Sequence, residues 1–400
     1  MAQSVIHGID VGTTKIVAVT GRVDTQRGIV EILSVGEAAS NGLKRGVVVD
    51  REEAADSVAE AMNACGMGDE PVAVGIAGSH ISSFNTEVTL LNRSRNLSVT
   101  DRLISKLDQE ARKAVIDEDE QIIHVIPRSY VLDGSEGVRK PKGLAARKVT
   151  MRAHMVTGAI SSIQNLLYAV EDCGARVSQV ILEPLASAEA CLRAKDRDDG
   201  VVLIDVGGGT TDMAVFLKGA LVHTDVIPIG GESFTSDVAY GFKIPYENAE
   251  TLKVRYGTVL SRIVDSVAAV ELHDRHYNAN FLSQILEYRA QEVFEYVNNS
   301  LKDNGLRTQI SGDTVLTGGG SLLDGMPELS EDVLGIPART AAPFKVRGNH
   351  NALRKPQYAT SLGLLMFGAK QRQVEGKSKG AGVNSFGSIL ESIKGWFRGV

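Results

Sequence analysis

One short pattern occurs twice, about half a chain apart. Residues 9–19 read IDVGTTKIVAV and residues 204–216 read IDVGGGTTDMAVF. Each copy is entered from an apolar, strand-like run, Val5 to Ile9 in the first and Val201 to Ile204 in the second. An Asp closes that run, a turn of Gly and Thr follows, and a second apolar run leads away. The pattern predicts a β-hairpin with a polar, glycine-bearing tip, made twice. A duplication of this kind constrains the architecture strongly, because a 400-residue chain with two such openings folds most simply as two similar lobes.

The tips carry the chemistry. Glycine lets backbone N–H groups converge on a phosphate oxygen, and Gly12 and Gly207-Gly208-Gly209 supply that freedom. Hydroxyls of Thr13, Thr14, Thr210 and Thr211 add donors, and Lys15 adds a positive charge. Two facing hairpins would hold a polyphosphate from both sides. Neither tip matches GxxxxGK[ST] or a strand-to-helix GxGxxG, which disfavours the Walker and Rossmann modes. Asp10 and Asp205 stand immediately before the turns. Carboxylates in such places orient a hydrated Mg²⁺, or else close the turn on their own backbone.

Three further features fit the same ligand. Gly318-Gly319-Gly320 follows the strand-like Thr314-Val315-Leu316 and would let a flat base or ribose approach the backbone. Glu250 and Lys253 share one helix face, a spacing that fits either a ribose clamp or a surface ion pair. Glu183, before Pro184, would orient an attacking water or act only structurally.

Composition narrows the class. Forty-three basic against 49 acidic side chains leave a net charge of −6, which excludes a protein built to bind nucleic acid over its whole surface. Cys65, Cys173 and Cys191 lie far apart without CxxC spacing, so neither a disulfide framework nor a metal site is expected. Helices are predicted over 51–65, 101–116, 159–173, 184–195 and 280–303. A basic loop is predicted over 132–148, and strand, glycine turn and helix over 313–325.

Residues 371–385 (QRQVEGKSKGAGVNS) lack apolar periodicity and read as a flexible linker. Beyond it, Phe386, Ile389, Leu390, Ile393, Trp396, Phe397 and Val400 fall within an arc of about 120° on a helix, with Lys394 and Arg398 nearby. The single tryptophan, Trp396, sits in this tail. Aromatics with basic neighbours suit a membrane interface, and residues 371–400 carry +3 while the rest carries −9. A partner-protein groove is the alternative occupant. The first residues, MAQSVIHGID, do not read as a secretory signal, and no apolar run is long enough to span a bilayer.

Two phosphate hairpins, a GGG loop and an ExxK helix in this order resemble the actin-like ATPase superfamily, which includes actin, MreB, seventy-kilodalton heat-shock chaperones and sugar kinases. Within it the chain is most similar to the FtsA family of bacterial cell-division proteins. The blocks IDVGTTKIVAV, GLKRGVVVD, ILEPLASAEA, LIDVGGGTTD, LTGGGSLLDG and YATSLGLLMFG carry that similarity in the family's order, over nearly the whole chain.

The resemblance implies an α/β, actin-like fold of two ribonuclease-H-like lobes around a cleft for ATP and Mg²⁺. The first lobe would span 1–195, with a family-specific subdomain inserted at about 83–160. The second would span 196–370, followed by the linker and an amphipathic membrane-binding helix at 386–400. It also implies self-assembly into actin-like protofilaments at the cytoplasmic face of the membrane, at the division site. The FtsZ C-terminal peptide would bind within 225–305, and later divisome proteins would be recruited. One departure falls in the insert, where the basic turn Lys140-Pro141-Lys142-Gly143 replaces the family's Asn-Pro turn. A sugar kinase or a PilM-like pilus-assembly protein of the same fold are the rival readings; no residue is nominated as the base a kinase needs.

Overall fold

The computed structural model describes residues 4–24, 29–68, 70–348 and 353–375. The tail helix at 386–400, with Phe386, Trp396 and their neighbours, lies outside the described residues. Each lobe is organised on a sheet whose first two strands form the expected hairpin. In the first lobe Ser4–Val11 pairs antiparallel with Lys15–Asp24, placing Asp10 opposite Val17. The full order is Arg176–Leu182, Pro71–Ile76, Ser4–Val11, Lys15–Asp24, Ile29–Ala39 and Val346–Arg347. In the second lobe Val201–Val206 pairs antiparallel with Thr211–Leu217, placing Asp205 opposite Asp212. Its order is Ala220–Ile227, Thr211–Leu217, Val201–Val206, Thr314–Thr317 and Ala338–Thr340. In both, the first hairpin strand also pairs in parallel with a strand that arrives after a long connection. The Asp before each turn therefore stands at the carboxyl end of a central strand, where open α/β sheets bind their ligands.

Two helices lie between the sheets, Glu183–Cys191 and Ala359–Glu375. Their apolar faces share one core with both lobes, with Ile6 and Val19 below and Leu203 and Phe216 above. A side chain at Gly363 would collide with the Ala186 backbone, so this glycine sets the close approach of the two helices. A second core fills the far side of the second lobe around Phe234, Leu282 and Phe294.

The insert is a layer of its own. Ile81–Leu91, Lys148–Ala159, Glu120–Leu132 and Ser135–Val138 form a four-stranded antiparallel sheet. Helix Asp101–Ala111 covers it through Leu103, Ile104 and Leu107. Where that helix begins, Thr100 caps it by accepting a bond from the Leu103 amide, and Asp101 stands in the first turn.

Several predicted boundaries move. The helix predicted over 101–116 ends at Ala111, ahead of the β-branched pair Val115 and Ile116. The one predicted over 184–195 divides, because Leu192 is extended (φ −101°, ψ 133°) and a short helix, Ala194–Asp199, starts afresh. After the glycine run, a 3₁₀ turn at Gly320–Leu322 comes first, and the helix begins only at Met326. The basic loop at 132–148 contains the edge strand Ser135–Val138. Helix Ala359–Glu375 runs five residues into the expected linker, since good helix formers continue until Gly376.

Candidate nucleotide cleft

The two hairpin tips meet across the gap between the lobes. A Cβ on Gly208 would collide with the Thr14 side chain, and one on Gly209 would lie 2.5 Å from Thr13 Oγ1. Both positions must be glycine for the tips to face each other this closely. The second tip is held by its own turn, Gly207 N–H to Thr210 O at 2.9 Å. It is also held by the start of helix Gly231–Phe242, whose Gly231 and Glu232 amides donate to Gly207 O and Gly208 O. On the first tip, Thr13 Oγ1 accepts from the Gly46 amide at 3.1 Å, tying in the loop that follows the first sheet strands.

Behind the tips opens a cleft of about 610 Å³, within the usual range for a small-molecule site. Its lining contains Gly12, Thr13, Thr14, Lys15, Gly207, Gly208, Gly209 and Thr210 from the hairpins. Glu250, Lys253 and Gly318 to Gly320 line the second-lobe side. Gly318 has φ +83°, and a side chain there would strike Asp205 Oδ1, so this glycine is fixed by both conformation and space. Thr211 is the exception among the predicted residues. It is fully buried and donates to Ile229 O at 2.8 Å, because strand alternation turns it away from the cleft that Thr210 faces.

Four carboxyl groups converge on the floor: Asp10, Glu183, Asp205 and Asp212. Burial raises all four above the ordinary carboxylate range. Asp205 reaches about 6, chiefly by burial and against a bond from Ser187. Asp212 and Glu183 are also pushed well up, each by burial and then by the charge of neighbouring carboxylates. Asp10 is raised by burial and restrained by Ser361 and Lys15. Asp212 Oδ1 has no hydrogen-bond partner, an orphan acceptor aimed among acids. Such a floor is unfavourable on its own and suits a divalent cation. Among the described residues no three His, Cys, Asp or Glu side chains are placed to ligate an ion directly. The donor set fits an ion held through water.

Cations surround the cleft. Lys253 is buried and donates to Gly231 O (3.1 Å) and Thr235 Oγ1 (2.7 Å), and it pairs with Glu250 at 2.6 Å. Glu250 and Lys253 thus form an ion pair that lines the cleft. Lys15 turns aside. Its ammonium lies 3.7 Å from Glu37 and 3.9 Å from the centroid of Tyr358, and burial lowers its pKa.

Sequence reasoning passed over Asp212, Ser187, Thr360 and Ser361. Asp212 had a visible signal, since it closes the second tip as IDVGGGTTD ends. The three hydroxyls gave none, because a Ser or Thr in an apolar helix reads as filler until its partner is known.

Two lobes on duplicated hairpins, closing over a glycine-lined acidic cleft, define a protein of the actin-like class. Solved structures agree on the fold. The chain matches the PilM–PilN type IV pilus biogenesis complex with a TM-score of 0.67 at 15% identity, covering 91% of this chain and 98% of that one. It matches MreB5 of Spiroplasma citri bound to AMPPNP with a TM-score of 0.54 at 14% identity, covering 94% and 100%. The family model described as cell division protein FtsA matches residues 202–363, and that of the SHS2 domain inserted in FtsA matches 78–157. The cell division protein FtsA of Pseudomonas aeruginosa is 36% identical over 98% of this chain and 97% of its own length. The chain belongs to the FtsA family of cell-division proteins. Its likeness to PilM is one of fold.

Proposed function

We propose that this protein binds ATP with Mg²⁺ between its lobes, assembles into actin-like filaments, and tethers FtsZ filaments to the cytoplasmic face of the membrane at the division site. The observation that carries the reading is the apposition of Thr13 and Thr14 with Gly208 and Gly209 over four buried carboxyl groups. Backbone amides and hydroxyls of both tips bind phosphate, and the lobes are thereby fixed at one angle. Asp10, Asp205 and Asp212 orient the water shell of the metal, which supplies charge neutralisation of the phosphates when bound. Lys253 and Glu250 hold the ribose side, and Gly318 to Gly320 admit the base. AMPPNP in the MreB5 relative of the fold supports this choice of ligand. Glu183, which lines the same floor, is the candidate to orient a water if the nucleotide is hydrolysed.

The FtsZ C-terminal peptide is assigned to the second-lobe segment 225–305, and later divisome proteins to contacts that include the insert. Membrane attachment is assigned to Phe386, Ile389, Leu390, Ile393, Lys394, Trp396, Phe397 and Arg398. Among the described residues no helix is long and apolar enough to cross a membrane. One interfacial helix, with a few large side chains at roughly 1.5–3 kcal/mol each before ordering costs, attaches weakly. Assembly into a filament multiplies that weak attachment.

The test is flotation of the full chain and FtsZ filaments with anionic vesicles. Capture of FtsZ that requires both ATP and residues 386–400 is expected. Capture that survives deletion of 386–400 would overturn the tether, and failure of a fluorescent ATP analogue to bind would overturn the nucleotide reading.

A further inference from the structure

The insert, covalently part of the first lobe, is hydrogen-bonded to elements of both lobes. On the first-lobe side, His124 of strand Glu120–Leu132 is completely buried, and its Nε2 accepts the Leu182 amide at 2.9 Å. Leu182 is the last residue of strand Arg176–Leu182 and the N-cap of the helix that begins with Glu183. No side chain caps that helix start. The imidazole therefore fixes the backbone one residue from a carboxyl group on the cleft floor.

On the second-lobe side, the partner is Ala220–Ile227, the outermost strand of its sheet. Ser83 Oγ donates to Thr224 O at 2.8 Å, and Asn85 Nδ2 donates to Val222 O. His154, also completely buried, joins the two: its Nδ1 lies 3.0 Å from Asn85 Oδ1 and its Nε2 lies 2.9 Å from Thr224 Oγ1. An amide oxygen only accepts, so Nδ1 carries the proton and Nε2 accepts the Thr224 hydroxyl. Every group in this chain is satisfied in one arrangement only. At the surface the Arg139–Asp198 pair, 2.8 Å, adds a further strap between the insert and the helix that precedes the second sheet.

We propose that the insert is a coupling element clamped to both lobes that flank the nucleotide cleft, with His124 as the positioning residue for Glu183 and with Ser83, Asn85 and His154 as the latch on the second lobe. If nucleotide exchange changes the angle between the lobes, the two attachments cannot both keep their geometry. The latch, directional and centred on the buried His154, is either made or broken and does not stretch. The insert then changes its attachment with the nucleotide state. By reciprocity, a ligand that grips the insert changes nucleotide affinity by the same factor. The proposal rests on the reading of the cleft as a nucleotide site.

Hydrogen exchange on the full chain, with and without Mg-AMPPNP, tests it, while calorimetry confirms binding separately. The expected result is a change of about fivefold or more in amide exchange along Ile81–Leu91 and Ala220–Ile227 on adding nucleotide. In H124L that response of the insert is lost although nucleotide still binds, and in H124Q, whose amide oxygen can accept the Leu182 N–H, it is restored. If nucleotide binds to the wild-type chain and the insert exchanges at an unchanged rate, the coupling is wrong while the cleft reading stands. If nucleotide does not bind at all, the cleft reading fails first. Equal responses in H124L and H124Q would remove His124 from the role.

Discussion

Asp10 and Asp205, one from each lobe, are held by consecutive hydroxyls of a single helix. Ser361 Oγ donates to Asp10 Oδ2 at 2.6 Å and Thr360 Oγ1 donates to Asp205 Oδ2 at 3.2 Å. Ser187, on the other inter-lobe helix, donates to the same Asp205 oxygen at 2.5 Å and lies 2.8 Å from Thr360 Oγ1. The two acids are thus oriented from between the lobes, so their spacing follows the packing of those two helices. S361A should leave Asp10 buried without its main donor. A loss of about 1–2 kcal/mol in unfolding free energy is expected, together with weaker Mg²⁺-dependent nucleotide binding, measured by denaturant titration and calorimetry.

Gly208 decides whether the tips can face each other. G208A would drive a methyl group into Thr14, and the lobes must separate to admit it. Affinity for a fluorescent ATP analogue should fall at least about tenfold, the equivalent of about 1.4 kcal/mol. Unchanged affinity would mean that nucleotide does not bridge the two tips.

Asp212 tests the cation. Its carboxyl is buried, raised in pKa and unpartnered at Oδ1. D212N removes one of four crowded acids, so the ligand-free protein should gain about 1 kcal/mol or more in stability. The extra stabilisation that Mg²⁺ brings to the ATP complex should shrink. A less stable ligand-free variant would argue that Asp212 is structural.

Acid acts on two opposing sets of groups. His124 and His154 are held down to about 3 by burial first and by nearby positive charge second. Their folded pKa lies below the unfolded value near 6.5, so the unfolded chain binds more protons as pH falls from 6.5 towards 3. Each contributes a loss of about 1.4 kcal/mol per pH unit over that window. Asp205, raised to about 6, has the opposite sign, and so do Asp10, Glu183 and Asp212: each is protonated in the folded state before the unfolded one as pH falls towards about 4, which offsets the loss. The net slope is the difference between these sets, and H154Q, which removes one declining contribution, should become more stable relative to the wild type as pH falls below 6.5. A stability difference between H154Q and the wild type that stays constant between pH 6.5 and 5 would contradict a buried neutral His154.

Trp396 is the only tryptophan, so its emission reports the tail alone. Anionic vesicles should shift it to the blue, and W396A should reduce vesicle binding severalfold. Emission already blue without lipid would place the tail against protein.

Much of this was legible before folding. The duplicated hairpin sets strand, turn and acid at adjacent positions, so Asp10, Gly12, Asp205 and Gly207 to Gly209 follow from local pattern. So do the helix over 51–65, with Asp50 accepting from the Glu52 and Glu53 amides, and its stop at Gly66 (φ 67°). These features depend on neighbours within a few residues, which a sequence displays. What tertiary structure alone decided is which groups meet across long separations. Ser361 reaches Asp10 from 351 residues away, His154 reaches Thr224 from another lobe, and Thr211 faces away from the cleft that Thr210 lines. A single hydroxyl or imidazole carries no periodicity. Its role is set by the partner that packing brings to it, because hydrogen bonds require both ends within about 3 Å and only the assembled core fixes that distance.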